Sequence, residues 1–193
     1  MFNREAAFSL FKEYNSETWL FKHALTMEAL MMYFAEKQGE NLEFWGMVGL
    51  LHDLDWEKYP EQHCIVAPTI LRKAGAPEKM IHAICSHCWG YTTNVKPESY
   101  MEQLLYATDE LSGIVAAAAR LLPSGRVCDL KLSSLRKKYR NEKFAAGCDR
   151  KVIAKGAEMI GMNIDDLIEQ TLIGLSSIED GVNKKFAEIF PTI

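Results

Sequence analysis

Apolar residues recur along this chain at three- and four-residue intervals, the spacing of a single buried helix face. No segment sustains the period-two alternation, rich in Val, Ile and Thr, that marks a half-buried strand. The pattern predicts an all-α protein, with helices at about 4–14, 17–38, 41–52, 62–74, 77–88, 98–121, 132–140, 149–160, 164–178 and 181–189. Ser16, Asn41, Asp149 and Asn163 stand just before periodic runs, where a short side-chain oxygen can accept from the free N–H groups of a first turn. Pro77 and Pro97 suit first-turn positions, and Gly39 and Gly161 follow periodic segments, where a left-handed residue ends a helix. The stretch from Leu122 to Lys131 lacks the pattern and reads as a loop near the site or a subdomain boundary.

Composition narrows the class. A chain of 193 residues, 48% hydrophobic and 25% charged, is long enough for one domain with a sizeable core. It has no apolar run of about 18 residues, and its start, Met1-Phe2-Asn3-Arg4-Glu5, lacks the charged-then-apolar order of a signal peptide. The expectation is a cytoplasmic protein with no membrane partner. A net charge of −4 argues against a general nucleic-acid surface, which needs an excess of Lys and Arg. Five cysteines, an odd count, argue against a disulfide framework and read as small buried hydrophobes. Oligomeric state is not legible at this level.

The candidate chemistry begins with His52-Asp53, at the end of the apolar run Leu50-Leu51. A carboxylate there meets the negative end of the helix dipole, which is unfavourable unless a cation compensates; the alternative is an exposed Asp in a polar loop that also holds Asp55, Glu57 and Lys58. His23 falls inside the stripe Leu20, Met27, Phe34, and taken alone reads as a core histidine bonded to a carbonyl. Asp109 lies among core positions of a third helix whose Gly113 and Ala116–Ala119 leave room for close packing. Together these residues offer two imidazoles and two carboxylates from three helices, a set suited to Mn, Fe, Co, Ni or Zn. A different site, zinc on Cys64, Cys85, Cys88 and a histidine, is disfavoured because Cys85-x-x-Cys88 falls inside a predicted helix and lacks a second Cys pair.

The ordered set His23, His52-Asp53, Asp109 resembles the HD-domain superfamily of metal-dependent phosphohydrolases over roughly residues 16–120. The run from Gly49 to Pro60, then Ala83-Ile84-Cys85-Ser86-His87, Leu105 to Gly113, Lys137-Lys138-Tyr139 and Phe144-Ala145-Ala146-Gly147 are similar to a group of stand-alone bacterial HD proteins. The resemblance implies an HD-type helical bundle: a metal-binding core at about 16–120 and a helical extension at about 121–193, in one domain. Two further histidines, His63 at the start of a predicted helix and His87, are spaced as in the HD-type diadenosine tetraphosphate hydrolases. That likeness implies two divalent transition metals, Fe, Mn or another, with Asp53 bridging. His23, His52 and Asp109 would hold one, and His63 and His87 the other. His82 lies about 140° round the helix from His87 and reads as solvent-facing, with a second-shell or leaving-group role as the alternative.

The implied reaction is hydrolysis of a small phosphorylated molecule, a nucleotide or dinucleotide, by metal-activated hydroxide, with Asp53 as the catalytic carboxylate. Positive groups for the remaining phosphates concentrate between Arg126 and Lys151, where Arg126, Lys137 and Lys143 are the candidate substrate contacts; the alternative for the run is a solvated helix face. The flanks of Pro123-Ser124, basic in the related group, are Leu122 and Gly125 here, leaving Arg120 or Arg126 to take that place. Two other functions compete: a mixed-valent di-iron oxygenase on the same ligands, and a non-catalytic ligand-binding module. The presence of all six ligand residues disfavours the module.

Overall fold

A computed structural model describes residues 2–191 and is helical throughout, with no β-strand among the described residues; this is the all-α architecture expected, consistent with an HD-type bundle. The elements are α1 (Arg4–Tyr14), α2 (Thr18–Gln38), α3 (Leu42–Leu51), α4 (Ala67–Lys73), α5 (Glu78–Ser86), α6 (Tyr100–Ala119), α7 (Leu132–Arg140), α8 (Arg150–Met159) and α9 (Ile164–Ile189). Short 3-10 turns lie at Pro60–Gln62 and Val127–Asp129. No described helix is long and apolar enough to cross a membrane.

Helix α2 is the central element, packed against α3 on one side and α9 on the other, while α6 lies against α8. Leu20, Met27, Leu30 and Met31 are fully buried, and they meet Val48, Leu50, Leu51 and Leu54 in one continuous core. Two contacts are too close for any side chain. A Cβ at Gly49 would lie 2.5 Å from the carbonyl oxygen of Met27, and one at Gly156 would lie 2.4 Å from the Cβ of Ala107. Glycine at these positions therefore sets the α2–α3 and α6–α8 separations.

Several boundaries differ from the sequence reading, each for a local reason. The helix expected at 62–74 is split. Cys64 has a left-handed φ of 62°, which cannot continue a helix, and the Asp55 carboxylate accepts the Ala67 N–H at 2.7 Å, so α4 starts there. The helix expected at 98–121 starts at Tyr100, because Ser99 and Glu102 form a reciprocal capping box and Pro97 stays outside it. Pro77 is the cap of α5 and not a first-turn residue. Ser16 does not cap α2: its hydroxyl donates to Glu57, whose other oxygen accepts the N–H groups of Ser16 and Glu17. The break expected between 178 and 181 is absent. Glycine inside a helix costs only about 1 kcal/mol, and buried Val182 carries α9 through Gly181 against the core. Asn41, Asp149 and Asn163 cap as expected, and Gly39 and Gly161 both take a φ of 68° after their helices.

Candidate metal centre

Three helices and one turn bring four imidazoles to one place. His23 comes from the middle of α2, His52 from the residue after α3, and His87 from the residue after α5. His63 does not open a helix as expected: it follows the 3-10 turn at Pro60–Gln62, on a backbone too extended to be helical. Each of three rings has its Nδ1 hydrogen claimed. His52 donates to the Gly49 carbonyl at 2.7 Å, His87 to the Ile84 carbonyl at 2.5 Å, and His63 to Asp55 Oδ1 at 2.8 Å. Nε2 of each is thereby turned toward the common centre, the arrangement that second-shell acceptors impose on metal-binding imidazoles.

The Nε2 atoms meet in two pairs, His23 with His52 at 3.0 Å and His63 with His87 at 3.1 Å. Asp53 lies between the pairs. Its Oδ2 is 3.3 Å from His52 Nε2 and 3.6 Å from His23 Nε2, while its Oδ1 is 3.2 Å from His63 Nε2 and 3.6 Å from His87 Nε2. Asp109 Oδ1 completes the first group at 3.0 Å from His23 and 3.4 Å from His52. All six residues singled out as ligands therefore stand together.

A cation suits this donor set on two grounds. Paired Nε2 lone pairs at this distance repel unless a proton or metal lies between them, and two carboxylates face the same imidazoles. The carboxylates draw positive charge to the imidazoles. Burial disfavours a charged His52, but the charges of Asp53 and Asp109 outweigh it and lift its pKa to about 9. Burial likewise disfavours charge on Asp109 and Asp53, yet His52 above all holds both below the usual carboxylate range. The His and Asp groups are thus able to hold a metal ion.

Some surroundings were not expected. Asp55 was read as part of a polar loop, but it is fully buried. Besides His63 it accepts the N–H groups of Cys64 at 3.1 Å and Ala67, so one carboxylate positions His63 and starts α4. The only sequence signal was its place two residues after Asp53. Cys64, Cys85 and Cys88 are buried near His63 and His87, whereas Cys128 is exposed and Cys148 is half-buried on the wall of the cleft, so neither is a core residue. His82 is half exposed, as expected, and its Nδ1 is 2.9 Å from Glu102 in the α6 cap, apart from the centre.

The cluster opens into a cleft of about 670 Å³. Exposed Trp19, Trp56 and Tyr91 stand on its wall, with Lys22, Arg120 and Glu110. Arg126, Lys137 and Lys143 do not line it. Arg126 is 2.6 Å from Asp180, and its neighbours Val127 and Cys128 donate their N–H groups to Glu179, tying the 122–131 loop to α9. Arg136 pairs with Asp165 and Glu169, and Arg150 donates to the carbonyls of Ala145 and Cys148, so these arginines hold the C-terminal part together. Lys137 and Lys143 are exposed to solvent.

No protein-family model matches the chain, and no solved structure matches it at a significant level. Among curated proteins it is similar to ribonuclease Y of Geobacter sulfurreducens, 32% identical over 104 residues. The ribonuclease Y proteins of Pelobacter propionicus and Geobacter metallireducens are each 31% identical over the same length. The aligned stretch covers 52% of this chain and 19% of each relative. The chain is thus similar to ribonuclease Y proteins over half its length and carries a histidine–aspartate cluster that fits an HD-type site.

Proposed function

We propose that the protein is a divalent-metal phosphohydrolase that cleaves a phosphodiester or phosphoanhydride bond in a small nucleotide or dinucleotide. One observation carries this reading: four Nε2 atoms converge in two pairs while Asp53 presents one carboxylate oxygen to each. On this reading His23, His52 and Asp109 hold one ion, His63 and His87 hold a second, and Asp53 serves both. Such ions supply Lewis acidity toward a phosphoryl oxygen and acidify water near neutral pH. The relatives' name, a ribonuclease, supports a phosphodiester as the bond attacked.

The cleft supports the substrate class. Arg120 and Lys22 line it, Lys22 with its ammonium already shared between Asn183 and the Phe186 ring, enough to meet a short phosphate group and too few to follow a polynucleotide backbone on a chain of net charge −4. Exposed Trp19 and Trp56 offer flat apolar faces on which a base can stack. Glu110 lines the same cleft beside Asp109, where its Oε2 accepts the Asp149 N–H at 3.0 Å.

The test is hydrolysis by metal-free protein reloaded with Mn²⁺, offered a dinucleotide polyphosphate and an oligoribonucleotide side by side. Metal-dependent cleavage of the dinucleotide, lost in Asp53→Asn, is expected. Faster cleavage of the oligonucleotide would move the substrate to RNA, and no cleavage of either with metal bound would overturn the hydrolase reading.

A further inference from the structure

The two metal positions proposed above differ in one atom. Beside the nitrogen and oxygen donors of the second lies the sulfur of Cys88, 3.4 Å from His87 Nε2. It belongs to a group in which the donor atoms of His63, Cys64, His87 and Cys88 all lie within 4.8 Å of one another. Cys88 follows His87 directly in the turn after α5 and is buried, yet it reaches the cleft wall beside His63, His87 and Asp53.

The two buried cysteines nearby are less well placed. Cys64 Sγ is 3.9 Å from His63 Nε2, farther than Cys88 Sγ is from His87 Nε2, and it lies 3.7 Å from Nδ1 of His87, the nitrogen already committed to the Ile84 carbonyl, and 3.7 Å from that same carbonyl oxygen. Cys85 Sγ donates to the Cys64 carbonyl at 3.5 Å. Neither lines the cleft.

We propose that Cys88 is a thiolate ligand of the second position, which thereby becomes a His63, His87, Asp53, Cys88 site preferring zinc or another thiophilic divalent ion, beside a first position of nitrogen and oxygen donors alone. The inference rests on the two-metal reading above. Donor spacing agrees with it. Nitrogen, oxygen and sulfur ligands at about 2.0–2.3 Å around a tetrahedral ion stand about 3.3–3.6 Å apart. The spacings here are 3.1 Å between the imidazoles, 3.2 and 3.6 Å from them to Asp53 Oδ1, and 3.4 Å from His87 Nε2 to the sulfur. Binding breaks the S–H bond, the proton passes to solvent, and the sulfur lone pair forms the metal bond with no change of oxidation state. Soft sulfur on one side only makes the pair of positions unequal: hard ions such as Mn²⁺ are favoured at the first and disfavoured at the second.

Cobalt(II) reads this directly, because thiolate-to-cobalt charge transfer absorbs in the near ultraviolet and nitrogen or oxygen ligands give no such band. Metal-free protein titrated with Co²⁺ is expected to show the band in the wild type and in Cys64→Ser, and to lose it in Cys88→Ser while visible ligand-field bands report that cobalt is still bound. A band that survives in Cys88→Ser, or a wild type that binds two cobalt ions without one, would overturn the thiolate ligand and leave the hydrolase reading standing. A wild type that takes up no cobalt would overturn both. X-ray absorption on the zinc-loaded wild type gives the answer without any variant: a sulfur neighbour at about 2.3 Å is expected, and a shell of nitrogen and oxygen alone contradicts the proposal.

Discussion

His23 and Asp109 come from within α2 and α6, and His52 and His87 are the residues that close α3 and α5, whereas His63 comes from a turn before α4. The helical group is placed by packing: α3 reaches its position because Gly49 lets it touch the α2 backbone at Met27. His63 in its turn is placed by hydrogen bonds, chiefly those that buried Asp55 accepts from His63, Cys64 and Ala67. One half of the centre should therefore respond to changes in helix separation, and the other to loss of a single carboxylate. Asp53 belongs to both.

The largest effect is expected where the halves join. Asp53→Asn keeps the shape of the side chain but removes the charge facing all four imidazoles, and hydrolysis should fall by about 1,000-fold, the scale on which loss of one electrostatic group lowers a rate. Rate measurements at saturating metal check this; a fall of less than tenfold would mean that the halves do not share Asp53. Asp55→Asn separates the halves. It weakens the acceptor behind His63 and should lower metal affinity at the second position by about 10–100-fold while leaving the first unchanged, read by calorimetric titration. Equal weakening of both positions would remove the distinction.

Gly49→Ala is the converse probe. Its Cβ would stand 2.5 Å from a backbone oxygen that cannot move aside, so a destabilisation of about 1–3 kcal/mol is expected in denaturant melts, with the His52 position weakened more than the His63 position. The smallest effect concerns the α6 cap, which sets the start of the helix carrying Asp109. Burial pushes the Glu102 carboxyl up, but the N–H groups of Ser99 and Glu98 and the side chain of His82 outweigh it and hold its pKa below 4.5. A carboxylate lowered on folding contributes stability above its unfolded pKa and loses that contribution as pH falls through the folded one. Glu102→Gln should cost about 1 kcal/mol near neutral pH, with the difference from wild type shrinking below pH ~4.5. A difference that grows on acidification would contradict the cap's role.

The same contrast explains what could be read from the residues alone. His23 and Asp109 show themselves as polar residues on apolar helical stripes, and His52-Asp53 as a pair ending an apolar run, because helix periodicity is a local property of the chain. His63 and Asp55 leave no periodic trace. Their positions depend on a left-handed Cys64 and on bonds across twelve residues, from Asp55 to Ala67, so His63 was identified through resemblance and Asp55 was missed. The expected contacts Arg126, Lys137 and Lys143 were chosen by local charge density, which carries no record that α9 presents Glu179 and Asp180 to Arg126. Arg120, named beside Arg126 as a replacement for the basic flanks of Pro123-Ser124, does line the cleft, and Lys22 reaches it from α2, where the periodic pattern gives no reason to single out a cation.

The central claim is that one carboxylate joins two metal positions, and electron paramagnetic resonance of protein loaded with two equivalents of Mn²⁺ tests it most directly. Ions sharing Asp53 stand about 3.5–4 Å apart and couple magnetically. The account predicts a coupled spectrum that reverts to that of isolated ions in Asp53→Asn; a wild-type spectrum of two uncoupled ions would contradict it.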